Sequence, residues 1–442
     1  MPQIQSKYRL ITGLLVIASF GFGVVVGKFQ LFPHRMLNYT FDVVASSVGM
    51  KNSESGFRRI TTSHVVLDMQ TYDGPKDSEL NGFGGGFSYV GNSLVGVDGA
   101  GQFFTYEGGG QINYLEIDVP TNREAFLQYL KEQRLRSDLD WSYRKAFRVL
   151  DFLAVEQSSN TTLYISYDHW DDLLLGRTSR IARRTLSSEE TDALANLFLR
   201  IRSDEWEVIH ETSPLITFAD DEGASFAGYH SGGGLLITEN GSILFAAGDY
   251  NLDGVQHPDA TQDNSLSAGK IVEINLESLN VTEYARGFRN PGGLIRSAAG
   301  QIWVTDFGPE GGDELLNLKI GKHYGWPFET HGTDYGSLEW PLVGSAPDSI
   351  ELEPAVFSWV PSIAPSDIIQ IQDWPREWSG DLLISTLVAG SLFRIRLDDS
   401  RVEFVEPISI GRRIRTLIQR QDGSILLFLE EGDFAELRAT VD

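Results

Sequence analysis

Six times along the chain a Gly- or Asn-containing turn leads into a short apolar strand: VGNSLVGVD (90–98), SNTTLYISYD (159–168), ENGSILFAAGD (239–249), AAGQIWVTDFG (298–308), WSGDLLISTLVAG (378–390) and QDGSILLFLEEG (421–432). A repeated unit that cannot cover its own apolar face must stack on its copies, and intervals of roughly forty to eighty residues accommodate a four-stranded blade with insertions. The expectation is an all-β chain folded as a six-bladed β-propeller. The 45 glycines suit many tight turns, where positive φ is repeatedly required. A β-sandwich or a two-domain α/β protein is the alternative on pattern alone, and six repeats weigh against it. Asn122–Leu135 and Ser187–Arg202 read as short helical insertions, the second opened by a Ser-Ser-Glu-Glu cap, and both are placed in loops between blades.

Ahead of the repeats, Leu10–Gly27 is uncharged and apolar, with Lys7 and Arg9 before it and Lys28 and Arg35 after it. It is about the minimum length for a spanning helix, and it lacks a clear A-x-A cleavage site, which favours an uncleaved signal anchor over a cleaved signal peptide. Lys7 and Arg9 on a very short tail keep that end in the cytoplasm. The expected organisation is a transmembrane signal anchor over 1–34, a stalk or linker over 35–64 and the propeller over 65–442. The propeller would then be membrane-anchored and face the periplasm or the extracellular side. Four N-x-S/T sequons begin at Asn38, Asn160, Asn240 and Asn280; they matter only in a eukaryotic secretory route, and chance explains them in a polar chain.

Composition narrows the function. Lys and Arg total 36 against 61 Asp and Glu, a net charge of -25, and that field repels phosphate backbones, so nucleic acid is not an expected partner. With 0 Cys, the chain has no disulfide, thiolate nucleophile, Cys-ligated metal or thioether-linked haem.

Three stretches carry candidate chemistry. In GYHSGGGLLITENGSILFAAGD (228–249), a returning hairpin would bring Asp249 to His230 and support a general base; a loop histidine with a solvated acid is the bland alternative. Arg286–Trp326 holds Arg289-Asn290-Pro291 before a strand, a Gly308-Pro309 turn and the acids Asp313-Glu314. Unpaired carbonyls and carboxylates there suit a hard cation such as calcium, and a glycine-rich surface loop is the alternative. In GRRIRT (411–416), Arg413 and Arg415 share one face of a strand, which calls for an anion, either a carboxylate-bearing ligand or surface salt bridges.

These stretches, in this order, resemble the glucose/sorbosone dehydrogenase family over about residues 217–435. FRNPGGL, WVTDFGPEGGDELLNL and KHYGWP are similar to the family's HRNPQGL, VTEHGPRGGDELN and NYGWP runs. The resemblance implies a six-bladed propeller that uses pyrroloquinoline quinone and calcium to oxidise an aldose or sugar aldehyde at the anomeric carbon. His230 matches the catalytic base and Asp249 the carboxylate that orients it. Arg289 and Asn290 match residues that contact the quinone and stabilise charge on its oxygen. Gly308 and Pro309 match the carbonyls that hold the cofactor's calcium, and Arg413 and Arg415 the arginines that pair with the tricarboxylate. Glu314, Tyr324 and Asp334 fall where some members hold a second calcium.

Several positions depart from the family pattern. Val388 stands at a cofactor lysine, Gly234 at an arginine, Phe307 at a polar residue and Thr416 at an acid. The expected function is a dehydrogenase that passes electrons to an external acceptor, since the chain has no haem motif. A non-catalytic propeller that binds carbohydrate or protein is the alternative, and a calcium-assisted lactone or ester hydrolase is a third reading.

Overall fold

The structure, a computed structural model, describes residues 56–75, 81–133, 146–217, 228–252, 259–333, 344–373 and 375–440. Six antiparallel sheets follow one another along the chain. Blade 1 is Gly85–Val90, Ser93–Asp98, Phe103–Gly108 and Gln111–Tyr114. Blade 2 is Val149–Glu156, Asn160–Asp171, Gly176–Ser187 and Glu207–Glu211. Blade 3 is Gly232–Ile237, Ser242–Ala247, Lys270–Asn275 and Val281–Arg286. Blade 4 is Pro291–Arg296, Ile302–Asp306, Asp313–Leu318 and Phe357–Trp359. Blade 5 is Pro365–Gln370, Leu382–Thr386, Ser391–Asp398 and Arg401–Ser409. Blade 6 is Ile414–Gln419, Ile425–Leu429 and Phe434–Ala439, completed by Val66–Tyr72 and Phe57–Thr61 from the other end of the described chain. The first strands of successive blades touch in order, and the first strand of blade 6 touches that of blade 1, so the ring is closed.

All six sequence repeats land on the second strand of a blade. That strand lies between two neighbours within its sheet and between two blades, so it is covered on both faces; Ser242–Ala247, Leu382–Thr386 and Ile425–Leu429 are buried at every position. Each fully buried aliphatic or aromatic side chain there contributes about 1.5–3 kcal/mol, which is why the apolar signal is continuous rather than alternating.

Closure moves one expected boundary. Phe57–Thr61, assigned from sequence to the stalk, is the outer edge strand of blade 6, paired in register from Phe57↔Gln70 to Thr61↔Val66. Its residues are mostly exposed, so no buried face imposes a period that a sequence reading could detect. Residues 1–34 and 35–55 lie outside the described residues, and among the described residues no helix is long and apolar enough to cross a membrane.

Of the two expected helices, Arg123–Gln133 lies between blades 1 and 2. The second is shorter than expected and lies inside blade 2, between its third and fourth strands. It spans Ser188–Ala195, with Ser187 and Glu190 forming a reciprocal capping box. Its apolar period runs on, but Leu197 takes φ 63°, and Arg200–Ile201 leaves to pair with Glu116–Ile117. Leu194, Leu199 and Ile201 share one buried cluster, so tertiary packing overrides the helical pattern.

Candidate active site

One face of the propeller collects the turns between second and third strands and the links from each fourth strand to the next blade. His230 lies in the link entering blade 3, and Asp249 follows that blade's second strand. The hairpin brings them together: His230 Nδ1 is 2.8 Å from Asp249 Oδ1. Asp249 is fully buried; its Oδ1 also accepts from Asn251 N at 2.7 Å, and its Oδ2 accepts from Trp326 Nε1 at 3.0 Å. A carboxylate on Nδ1 selects the Nδ1–H tautomer of a neutral imidazole and assigns proton transfer to Nε2.

Blade 4 supplies the next layer. The backbone N–H groups of Arg289 and Asn290 donate to Asp306 Oδ2 (2.9 Å) and Oδ1 (2.7 Å), and Arg289 O accepts from Asp249 N at 2.8 Å. Burial, with a smaller contribution from Glu314, pushes the Asp306 carboxyl up to about 7. The buried Arg289 guanidinium donates to Phe307 O (3.0 Å) and Gly308 O (2.8 Å) and lies 5.5 Å from the Trp326 ring centre. Asn290 Oδ1 accepts from Gly232 N at 3.2 Å, fixing the strand that leaves His230.

Arg413 and Arg415 meet their anion within the chain. Both pair with Glu430, Arg415 at 3.2 Å, and Arg415 Nε also donates to Gly82 O at 3.0 Å. Burial, with Arg148 and Arg413 close by, lowers Arg415 to about 9. Arg148, which no motif marks in the sequence, donates to Gly228 O at 2.7 Å. Arg148 and Arg415 line a cavity of about 100 Å³ on the ring axis with Gly232, Gly234, Gly292, Asp151 and Asp367. Arg148 and Arg415 thus open onto the same channel as the strand that follows His230.

Of the expected cation ligands, Gly308, Glu314 and Tyr324 have partners within the chain. Gly308 O is engaged by Arg289, and Asp313 is a turn anchor that accepts from Gly308 N, Ser362 Oγ, Ile363 N and Ala364 N. Glu314 pairs with His331 at 3.1 Å. The Tyr324 hydroxyl donates to Asn317 O and accepts from Lys319 N, which commits it to the core of blade 4. Asp334 lies outside the described residues. Among the described residues no group of three or more acidic or histidine side chains is placed to hold a metal.

Two departures gain a physical reason. At Gly234 a Cβ would stand 2.2 Å from Gly292 O, so neighbouring inner strands pack backbone to backbone and no arginine fits. Thr416 donates to Asp367 Oδ2 at 2.6 Å, bonding a carboxyl that lines the channel. Phe307 lies 5.8 Å from the Arg289 guanidinium, whereas Val388 is an exposed residue of the same face, and nothing in the structure explains that departure.

A model of the glucose/sorbosone dehydrogenase family matches residues 149–438. A protein of Synechocystis sp. described as uncharacterized is 27% identical over 307 residues, 64% of this chain and 67% of the relative. The aldose sugar dehydrogenase of Escherichia coli is 29% identical over 222 residues, 46% of this chain and 58% of that protein, so the chain spans under two thirds of its length. Among solved structures, the PQQ-bound aldose sugar dehydrogenase of Streptomyces coelicolor superposes with a TM-score of 0.57 at 16% identity, covering 85% of this chain and 98% of that one, a likeness of fold.

Proposed function

The chain belongs to the glucose/sorbosone dehydrogenase family, and from that premise we propose that it is a pyrroloquinoline-quinone-dependent dehydrogenase oxidising an aldose or sugar aldehyde at its anomeric carbon, with electrons passed to an external acceptor. The observation that carries the reading is the His230–Asp249 pair, 2.8 Å apart, beside the buried Arg289 and just ahead of the strand whose Gly232 and Gly234 line the channel with Arg148 and Arg415. The Escherichia coli relative bears the name of such an activity, and the Streptomyces coelicolor neighbour was solved with the quinone bound.

The basic cluster of Arg148, Arg413 and Arg415 fits an anionic aromatic cofactor, since carboxylates on guanidinium forks form strong charge-assisted bonds. When bound, the quinone supplies hydride acceptance. The chain's own residues do the rest. His230 takes the proton of the anomeric hydroxyl on Nε2, and Asp249 holds the resulting imidazolium in place. Trp326 keeps Asp249 from rotating. Arg289 places a fixed positive charge in a dry pocket, where it favours charge developing on the bound acceptor. The residues do not fit calcium as they stand: the Arg289 guanidinium, 2.8 Å from Gly308 O, opposes a second cation there. The apolar segment Leu10–Gly27 supports a membrane-anchored, outward-facing location.

A second reading, a non-catalytic propeller, is favoured by two observations: Glu430 already satisfies Arg413 and Arg415, and Val388 contributes no charge. Titration of the full-length protein with the quinone, followed by dye reduction across a panel of aldoses, separates the two. Binding with sugar-dependent reduction supports the enzyme, and a folded chain that binds no quinone supports the module.

A further inference from the structure

Behind the candidate base lies a buried ion pair that the chemistry above does not use. Asp168 stands on blade 2's second strand and Arg177 on its third; their side chains are 0% and 1% exposed and 2.8 Å apart. Two charges removed from water are costly, and an aliphatic pair of similar volume is commonly no less stable. Stability is therefore a poor reason for the pair, and its contacts suggest another.

Those contacts converge on the two turns that hold His230 and Asp249. Arg177 Nη1 donates to Ser231 Oγ at 2.8 Å, and Ser231 Oγ lies 3.2 Å from Asp168 Oδ2 and 3.1 Å from Gly228 O. Ser179 Oγ adds a bond to Asp168 Oδ1 at 2.8 Å. The Arg177 guanidinium lies 5.4 Å from the ring centre of Tyr250, the residue after Asp249. Backbone geometry at the same places is unusual: His230, Tyr250 and Asn251 have φ of 52°, 54° and 62°. Non-glycine residues persist there only where the surroundings over-determine them. Tyr250 N donates to His230 O at 3.1 Å, tying the two turns to each other.

We propose that the Asp168–Arg177 pair is a positioning device for the candidate base, holding the Ser231 and Tyr250 turns in left-handed conformations so that His230 meets Asp249. Arg177 and Asp168 touch no substrate in this arrangement; they act through Ser231 and Tyr250. The inference rests on the reading of His230 as the base, and its test separates the two.

Two variants of the full-length protein are compared: Ser231→Ala, which removes the hydroxyl linking the pair to the His230 turn, and Asp168→Leu with Arg177→Met, which removes both charges. His230→Ala serves as the reference. The first readout, independent of turnover, is the NMR resonance of the proton shared by His230 and Asp249. The second is kcat, KM and the pH profile of kcat. The expected result is loss or broadening of the shared-proton resonance in both variants. With it, kcat falls about 10–100-fold in the double variant, KM and quinone affinity change little, and the pH profile shifts. Ser231→Ala should move the same readouts less and remain folded, so the result stands even if the double variant does not fold. An unchanged resonance and pH profile in folded Ser231→Ala and in the double variant would overturn the proposal. If His230→Ala retains turnover, the base reading fails instead, while the resonance still reports on positioning.

Discussion

His230 Nδ1 stands 2.8 Å from Asp249 Oδ1, and the other oxygen of that carboxylate receives the indole N–H of Trp326 at 3.0 Å. The acid is thus held from two blades, and the imidazole it faces has one orientation. Asp249→Ala should lower kcat by about 10²–10⁴-fold and leave quinone affinity close to the parent. Steady-state kinetics beside a fluorescence titration would check it. A loss of quinone binding with kcat per bound cofactor preserved would assign Asp249 to the cofactor instead.

Glu430 competes with any incoming carboxylate for Arg413 and Arg415. Removing its charge should free two guanidiniums, so Glu430→Gln is expected to bind the quinone several-fold more tightly. Arg415→Ala should weaken binding by about 10–100-fold, the worth of a charge-assisted bond. Isothermal titration of both variants tests the pair. Weaker binding in Glu430→Gln would show that Glu430 orients the arginines for the ligand.

Calcium alone should find no place beside Arg289. Arg289 donates to Gly308 O, so metal-stripped protein titrated with calcium is expected to keep its thermal midpoint. A rise of several degrees from calcium alone would show that the carbonyls bind a cation without displacement of Arg289.

The channel carboxyls set a pH dependence. Burial, then repulsion by Asp367, pushes Asp151 up to about 8; burial pushes Asp367 up to about 6. Over the interval between the ordinary carboxylate range and these values the folded chain binds more protons than the unfolded one. Their effect therefore lowers stability as pH rises through about 4 to 8 and is constant above. Asp151→Asn should flatten the fall in thermal midpoint between pH 6 and pH 8.5 by several degrees, at the cost of one side-chain acceptor for the backbone N–H of Phe152 or Leu235. A parallel, unflattened profile would show that Asp151 ionises freely in the folded state.

Much of this architecture is legible in the sequence because buried second strands write themselves as apolar runs. Phe57–Thr61 is not legible, since an exposed edge strand is defined by its partner and leaves no pattern of its own. The His230–Asp249 pairing follows from hairpin return. Arg148 and Trp326 escape a sequence reading because their roles depend on which blades lie side by side. Glu430 meets Arg413 and Arg415 by hairpin return within blade 6, through the register Ile414↔Leu429, which an isolated acid after an apolar run does not announce. The supposed calcium acids show the converse. Asp313 and Glu314 look like a ligand pair in the sequence, but successive strand residues point to opposite faces, and the two side chains serve a turn and His331 separately.

The most direct test of the dehydrogenase reading is stopped-flow reduction of the quinone by an aldose in full-length protein and in His230→Ala. The account predicts rapid, sugar-dependent reduction in the parent, with a rate that rises as His230 loses its proton, and reduction slowed by at least about 10²-fold in the variant at unchanged quinone occupancy. Reduction at the parental rate in quinone-loaded His230→Ala would contradict it.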